Sequence, residues 1–587
     1  MRKIKFRPVV VGLILAIFWS CGTGKKQKAS LSMQEVEMNL TEIPQEDEDD
    51  AVPPPPPPHS TVRFVPPVIA EDEVVADYEI HTQEDLLVSR EQLSIADMDT
   101  KEVLPNNVYH SPQRHEVDTE EYSSFVENGF MLAQSNPLST FSIDVDNASY
   151  SNVRRFINQG QKPRADAVRV EEMINYFDYQ YPAPKGADPV HISTEIGASP
   201  WNKGHRLVKI GLKAKDVDLK DLPNSNLVFL IDVSGSMSGA TRLDLVKSSM
   251  KLLLDNLRAD DRVAIVVYAN EVGVKLPSTP VSEKDKIIRV LDGLEASGGT
   301  SGGDGIQQAY KVAEKNFIKG GNNRIILCTD GDFNIGISDD AALEKMIESK
   351  RESGVFLSIL GYGMGNYKDR KMQTLSQAGN GNHAYIDNLQ EAQKVLEKEF
   401  KGTMFTLAKD VKIQVEFNPA KVQAYRLVGY ETRKLNKEDF NDDTKDAGEM
   451  GVGHTVTALY EVVPVGVASN MIPSVDPLKY QTKEEKSKVK NASSEMLTVK
   501  LRYKEPAGNT SKLLSRAVVD RGGDDVSQDF RFVSAVAMFG QLLRNSKYKG
   551  ESDYEQVIAL AKKGLNNDEQ GYRREFVRLA EAMKSIH

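Results

Sequence analysis

Three short stretches of the sequence place oxygen-bearing side chains at the ends of apolar runs or in a glycine-rich loop. The apolar runs occupy 227–231 and 325–329, and the loop occupies 297–303. Apolar runs of this length predict buried strands. Loops at the carboxyl ends of parallel strands gather into one crevice in an open α/β sheet, so we expect these side chains to meet. The five side chains are Asp232, Ser234, Ser236, Thr300 and Asp330.

The five candidates offer only carboxylate and hydroxyl oxygens. With no histidine or cysteine among them, they suit a hard cation such as Mg²⁺, Mn²⁺ or Ca²⁺. Aspartate and serine are also favoured helix N-caps, so the segment 232–236 alone could simply cap the following helix. The presence of Thr300 and Asp330 in order along the chain favours the metal site.

This arrangement resembles the metal-ion-dependent adhesion site (MIDAS) of von Willebrand factor type A (VWA) domains. That site has the pattern Asp-x-Ser-x-Ser, then a threonine, then Thr-Asp-Gly, which here is Thr329-Asp330-Gly331. The resemblance implies a doubly wound, mostly parallel α/β sheet of Rossmann-like type. It also implies a divalent cation, Mg²⁺ before Mn²⁺ or Ca²⁺, with one position open for an Asp or Glu carboxylate of a protein partner.

Composition indicates a multidomain protein that does not bind nucleic acid. A chain of 587 residues exceeds what one hydrophobic core usually organises. Its net charge of −11 argues against phosphate as the main binding target. The two cysteines, Cys21 and Cys328, are too few for a disulfide framework, and Cys328 lies within a predicted core strand.

The first residues have the layout of a secretory signal. Four basic residues precede an apolar run at 9–19, which is too short for a comfortable membrane span. The run ends at Cys21 and resembles a bacterial lipobox, with Ser20 fitting the small residue and Phe18 and Trp19 bulkier than usual. The resemblance implies cleavage of a signal peptide at 1–21, lipid on Cys21 and a location at the cell envelope, on the outer membrane or its periplasmic face. The alternative is an ordinary signal in which Cys21 is incidental.

Residues 22–115 are acidic and rich in proline, including six consecutive prolines at 53–58. Such a composition buries too little apolar surface to offset the entropy of ordering. We expect a disordered tether.

A companion region of helices and strands is expected at 120–222. A helix should begin at Asp146 or Asn147 as its cap, and a second should cover 168–177. This second stretch resembles the region that precedes the VWA domain in bacterial envelope proteins of the YfbK type.

Strands and helices alternate through 223–402, which predicts the parallel sheet of the VWA domain. The last helix there has a cap at Asn388 with Glu391 three residues later. Residues 403–587 form alternating strands followed by three helices, of which the middle one carries a capping box, Ser552 and Glu555. We expect the strands at 191–213 to pair with those after 402.

No catalytic residue set is evident, so the chain is not expected to be an enzyme. The pattern Ser248-x-x-Lys251 is too short to be informative, the glycines at 361–365 favour a turn, and His383 and His454 have no partners at metal spacing. The expected function is a lipid-anchored envelope protein that binds a protein partner through its cation. The alternative is an envelope scaffold in which the metal only stabilises the fold.

Overall fold

The computed structural model describes residues 119–300, 302–331, 340–445, 447–472, 493–523, 525–566 and 568–586. These residues belong to one compact unit. The signal, the tether and Cys21 lie outside the described residues. In the part of the chain that is described, no helix combines the length and the apolar character that a membrane crossing requires.

The companion region contributes four strands and two helices, numbered here in chain order. They are β1 (Met131–Leu132), β2 (Leu138–Ser142), α1 (Ala148–Asn158), α2 (Val170–Asn175), β3 (Val190–Ala198) and β4 (Arg206–Ala214).

The capping predicted for α1 is wrong. Asn147 occupies the N-cap position, but its side chain makes no capping hydrogen bond. The backbone NH of Ser149 instead donates to the Glu172 carboxylate on α2 at 2.9 Å. Asp146 accepts a hydrogen bond from the backbone NH of His383 at 3.0 Å. Tertiary contacts have therefore replaced the local cap.

The core that follows alternates strands and helices. Its elements are β5 (Ser225–Asp232), α3 (Leu243–Asp255), β6 (Arg262–Tyr268), β7 (Val272–Pro280), α4 (Lys284–Asp292), α5 (Gly302–Lys315), β8 (Asn322–Thr329), α6 (Asp340–Arg351), β9 (Phe356–Gly361), α7 (Asp369–Ala378), β10 (His383–Tyr385), α8 (Leu389–Gln393) and α9 (Phe400–Met404). The sheet order is β10-β9-β8-β5-β6-β7. All pairs are parallel except β6 with β7, so the predicted doubly wound α/β fold is confirmed.

Both faces of this sheet are covered, which explains the continuous apolar runs. On β5, Leu227, Phe229 and Ile231 pack in the core cluster that contains α3. The alternating residues Val228 and Leu230 pack in the cluster that contains α5. Because every residue of β5 is buried, periodicity alone could not reveal the two faces.

Two elements of the core were not predicted. The strand β7 is the antiparallel edge of the sheet, and most of its residues are exposed or half-buried. Its prolines suit an edge strand, where a missing NH costs no ladder hydrogen bond. The helix α6 buries only Leu343 and Ile347, too few apolar residues for a clear helical pattern.

The chain ends in a β-rich part and three helices. The elements are β11 (Thr406–Phe417), β12 (Val422–Val428), β13 (Lys434–Leu435), β14 (Gly448–Gly451), β15 (Thr455–Pro464), β16 (Leu497–Lys504), β17 (Lys512–Val518), α10 (Gln528–Leu543), α11 (Tyr554–Lys563) and α12 (Tyr572–Ile586). Two further sheets have the orders β1-β12-β15-β4-β3 and β13-β2-β11-β16-β17, with β14 paired to β11. They share one hydrophobic core and so form a sandwich. The strand β4 pairs with β15, as expected, so each sheet uses strands from both sides of the core.

Helix caps in the second half of the chain follow the prediction in one case of two. The Asn388 side chain accepts from the backbone NH of Glu391 at 2.9 Å, as predicted. At α11 the cap is Asp553, which accepts from the NH of Gln556 at 2.7 Å, so the predicted capping box at Ser552 is displaced by one residue.

One buried arginine joins the companion region, the core and the C-terminal helices. Arg154 on α1 is 1% exposed. Its guanidinium donates to Asp387 and to Glu391 at 2.7 Å on the core side, and to Glu575 of α12 at 3.2 Å. The Tyr176 hydroxyl accepts from it at 2.9 Å. These contacts form a charged junction between three parts of the chain.

Candidate metal centre

The two candidate carboxylates lie at the same edge of the core sheet. Asp232 is the last residue of β5, and Asp330 directly follows β8. These strands are parallel neighbours, with Ile231 opposite Cys328. Both aspartates are fully buried.

The loop after β5 folds back on Asp232. The backbone NH of Ser234 donates to Asp232 Oδ1 at 2.9 Å, and the hydroxyls of Ser234 and Ser236 lie 3.0 Å apart. Asp232, Ser234 and Ser236 are therefore grouped at the strand end. Their hydrogen bonds serve this loop and do not cap α3, which has no side-chain cap at its N-cap residue Arg242.

The loop that carries Thr300 packs against the first loop through its backbone. The NH of Ser297 donates to Val233 O at 2.7 Å, and the NH of Gly235 donates to Gly298 O at 2.9 Å. Gly298 has φ +81°, and a Cβ there would lie 2.5 Å from the Asn270 side chain. Only glycine fits this position without strain.

Thr300 follows this loop and is 8% exposed. Among the described residues, no hydrogen bond links its hydroxyl to the other four candidates. The structure thus places its loop at the site, while the other candidates are connected by side-chain contacts or by adjacent strand ends.

Two residues of the site were not predicted as members. The Thr329 hydroxyl donates to Asp232 Oδ2 at 3.2 Å and accepts from the NH of Gly331 at 3.0 Å. The Asn366 side chain donates to Asp330 Oδ2 at 2.9 Å. Thr329 belongs to the Thr-Asp-Gly triplet that signalled the site, but Asn366, in a distant turn, has no such signal.

The electrostatics of the site favour binding of a cation. Burial raises the pKa of Asp232 to about 7, and the charge on Asp330 adds to this, although hydrogen bonds from Ser234 and Thr329 act in the opposite direction. No described lysine, arginine or histidine forms an ion pair with Asp232. The carboxylate is therefore held out of water without an ion pair to a described residue, which is costly unless a proton or a cation compensates its charge.

The chemistry of the donor set fits a hard divalent cation. Two carboxylates can neutralise one divalent ion, and three hydroxyls supply neutral oxygens. The described ranges contain no group of three or more His, Cys, Asp or Glu side chains placed to hold a metal. A site in these ranges would therefore depend on hydroxyl oxygens as well as carboxylates, as this one does.

Sequence comparisons match nearly all of the described chain to three family models. Residues 226–399 match the von Willebrand factor type A domain, 402–586 match the C-terminal domain of YfbK, and 116–209 match a von Willebrand factor model. VWA domains generally mediate protein–protein interactions, often with a metal, and commonly bind a divalent cation.

Several proteins are similar in sequence to this chain, over different lengths. YfbK of Escherichia coli is 45% identical over 479 residues, which cover 80% of this chain and 82% of that protein. Protein sll0103 of Synechocystis is 23% identical over 324 residues, covering 54% of this chain and 70% of that protein. Human inter-alpha-trypsin inhibitor heavy chain H4 is 27% identical over 146 residues, covering 24% of this chain and 16% of that protein. The chain therefore belongs to the YfbK family of VWA-domain proteins.

Proposed function

We propose that this protein is anchored to the cell envelope by lipid on Cys21 and binds a protein partner through a divalent cation, Mg²⁺ before Mn²⁺ or Ca²⁺. The cation site comprises Asp232, Ser234, Ser236, Thr300 and Asp330. The observation that carries this proposal is the buried Asp232 carboxylate, which forms no ion pair with a described residue and lies beside a second carboxylate and a pair of hydroxyls.

The charge balance of the site explains why it would bind a partner. A bound divalent cation would supply an acceptor for one further anionic oxygen, such as an Asp or Glu carboxylate of the partner. Asp232 and Asp330 only just neutralise such an ion, so its affinity for another anion is retained. A third protein carboxylate would have satisfied that affinity internally.

Neighbouring polar groups hold the two carboxylates in place. Thr329 fixes one oxygen of Asp232, and Asn366 fixes one oxygen of Asp330. Both partners are neutral, so they orient the carboxylates without competing as cations. Outer contacts of this kind typically affect metal affinity by about 10- to 100-fold.

The binding role is tested with envelope extracts. Tagged protein should retain a specific partner in the presence of Mg²⁺ and release it in EDTA, and Asp232→Ala should fail to retain it. Ser248→Ala, which changes a hydroxyl on the exposed face of α3, serves as the control. Retention by Asp232→Ala in EDTA would contradict the proposal.

The lipid anchor is tested independently. Cys21→Ser should release the protein from membranes or leave it unprocessed, because the apolar run at 9–19 cannot hold it after cleavage. Mass spectrometry of the wild-type N-terminus should show lipid on Cys21. An unmodified Cys21 in the mature protein would contradict the lipid anchor. It would leave the proposal for the cation site unaffected.

A scaffold role remains a second candidate because of the Arg154 junction, which ties the VWA domain to both flanking parts. In this alternative the cation only stabilises the fold, and other surfaces contact partners. EDTA should then unfold the VWA domain, whereas the binding role requires only loss of partner affinity.

A further inference from the structure

A cavity of about 240 Å³ lies at the opposite end of the core sheet from the candidate metal centre. Arg324, near the start of β8, lines it, whereas Asp330 follows the other end of the same strand. Six residues of extended chain separate the two positions by roughly 20 Å. The remaining wall comes from the segment after α7, from α9 and from the sandwich.

Arg324 is a buried cation with too few partners. It is 2% exposed, and one nitrogen donates to Ser358 Oγ at 2.7 Å. Among the described residues, its Nε has no hydrogen-bond partner and no carboxylate forms an ion pair with it. The guanidinium carbon lies 5.5 Å from the centre of the Phe356 ring.

A buried cation in this condition is costly unless an anion compensates it. Burial accordingly lowers the pKa of Arg324 to about 10, although the charge of Glu449 opposes this. Folded proteins rarely contain a buried, uncompensated charge that has no function. The Arg324 guanidinium lines a cavity, where a bound anion would compensate its charge.

The other charges around the cavity are largely paired. Arg433 forms ion pairs with Asp144 at 3.0 Å and with Asp146 at 3.2 Å, and Glu449 accepts from the Thr406 hydroxyl at 2.6 Å. Lys434 on the wall is exposed and, among the described residues, forms no ion pair. Outside the ion pairs of Arg433, the charged side chains on the wall are Arg324, Lys434 and Glu449, which leaves one positive charge for a ligand with a single negative charge.

The neutral lining is polar. Amide and hydroxyl groups of Gln377, Asn382 and Thr432 line the same cavity. Such groups recognise hydroxyls or amides of a ligand. The volume is below the range of about 300–1,000 Å³ that holds drug-sized ligands, so the occupant is smaller.

We propose that this cavity binds a small sugar acid, with its carboxylate on Arg324 and its hydroxyls on the surrounding amide, hydroxyl and carboxylate groups. A single carboxylate matches the one positive charge that is left on the wall, whereas a phosphate dianion would make the occupied cavity net negative. The site is separate from the cation-dependent binding of the VWA crevice and does not depend on it.

The probe for the test is D-glucuronate, titrated into the purified full chain by calorimetry. Glucose provides the neutral isostere and inorganic phosphate the dianion. Saturable binding of glucuronate at millimolar concentration or below is expected, with weaker binding of the other two. Because the cation site plays no part, EDTA should leave the binding unchanged.

Arg324→Gln should weaken glucuronate binding at least about tenfold, since a hydrogen bond to a charged group is lost. Its melting temperature without ligand should equal or exceed that of the wild type, because a buried unpaired charge is removed. Arg262→Gln at the start of β6, whose side chain contacts Ser278 outside the cavity, should bind normally.

Lys434→Glu provides a second variant that is safe for folding because the residue is exposed. It should weaken glucuronate binding several-fold by making the lining net negative. The proposal is overturned if glucuronate does not bind, if it binds no better than glucose, or if Arg324→Gln binds as tightly as wild type. If Arg324→Gln lowers the melting temperature and the wild type does not bind glucuronate, the role of Arg324 is purely structural.

Discussion

Two clusters of buried carboxylates in this molecule differ in what compensates their negative charge. At the junction, Asp387 and Glu391 are compensated by Arg154, which forms short contacts with both. At the candidate metal centre, Asp232 is surrounded by backbone NH and hydroxyl groups, with no ion pair to a described cation. Both clusters belong to the VWA domain. Asp387 and Glu391 lie at the start of α8, and Asp232 lies at the carboxyl end of β5.

The difference separates structural from binding charges. A carboxylate whose cation is supplied by the chain itself is satisfied whenever the protein folds. A buried carboxylate without one has affinity left for an external cation. The comparison therefore predicts large stability effects at the junction and large binding effects, with small stability effects, at the metal centre.

The largest stability effect is expected for Arg154→Ala. It leaves Asp387 and Glu391 buried without their cation, which should lower the free energy of unfolding by about 3–5 kcal/mol. Denaturant titration measures the change. Arg578→Ala on α12, whose exposed side chain donates to Asn158 at 3.1 Å, should change stability little and serves as the control. A loss below about 1 kcal/mol for Arg154→Ala would contradict the structural role of the junction.

A pH-dependent effect is expected at Glu171, which belongs to α2 near the junction. Its side chain is 3% exposed, and burial raises its pKa to about 7, with the charges of Glu431 and Glu172 adding to the shift. Since the folded pKa exceeds the unfolded value of 4.5, its stabilising contribution is present below pH 4.5 and is lost as the pH rises through about 7.

Glu171→Gln should therefore stabilise the protein relative to wild type at pH 8, by at most roughly 3 kcal/mol, and much less at pH 5. Urea unfolding of both proteins at the two pH values gives the difference directly. A stability difference between the two proteins that does not grow with pH would contradict this prediction. It would show that a cation compensates the Glu171 charge in the folded protein, as Arg154 compensates Asp387.

The smallest stability effect is expected for Thr300→Ala. Removing a neutral oxygen from the metal centre leaves no unpaired charge, so the melting temperature without cation should hardly change. Affinity for Mg²⁺ should fall about tenfold or more, measured by calorimetry. Thr374→Ala on α7, a half-buried threonine whose hydroxyl donates to Arg370 O at 3.0 Å, is the matched control. Unchanged Mg²⁺ affinity in Thr300→Ala would exclude Thr300 from the site.

The fold of the core could be predicted because its central strands carry long apolar runs and most of its helices have clear periodicity, unlike β7 and α6. The grouping of Asp232 with Asp330 followed from a topological rule, since both residues end neighbouring parallel strands. Local caps were predicted less well. At α1 the Glu172 carboxylate, distant in sequence, replaced Asn147, and at α11 Asp553 outcompeted Ser552 one residue away.

Other features had no local signal at all. Asn366 reaches Asp330 from a turn 36 residues later in the chain. Arg324 interrupts an apolar strand, and nothing in the sequence distinguishes a paired buried arginine from an unpaired one. Such properties arise from packing between distant segments and become visible only in three dimensions.

The central claim is tested most directly by Asp330→Ala, with partner binding and thermal unfolding measured on the same preparations with and without Mg²⁺. Loss of half the compensating charge should abolish cation-dependent partner binding, while the variant unfolds cooperatively near the wild-type temperature, because an ion in a crevice stabilises only by mass action. Asp340→Ala, an exposed aspartate at the start of α6, should behave as wild type in both measurements. Partner binding that is unchanged by EDTA and by Asp330→Ala would contradict the binding role of the cation. Unfolding of the wild type by EDTA alone would show that the cation stabilises the fold.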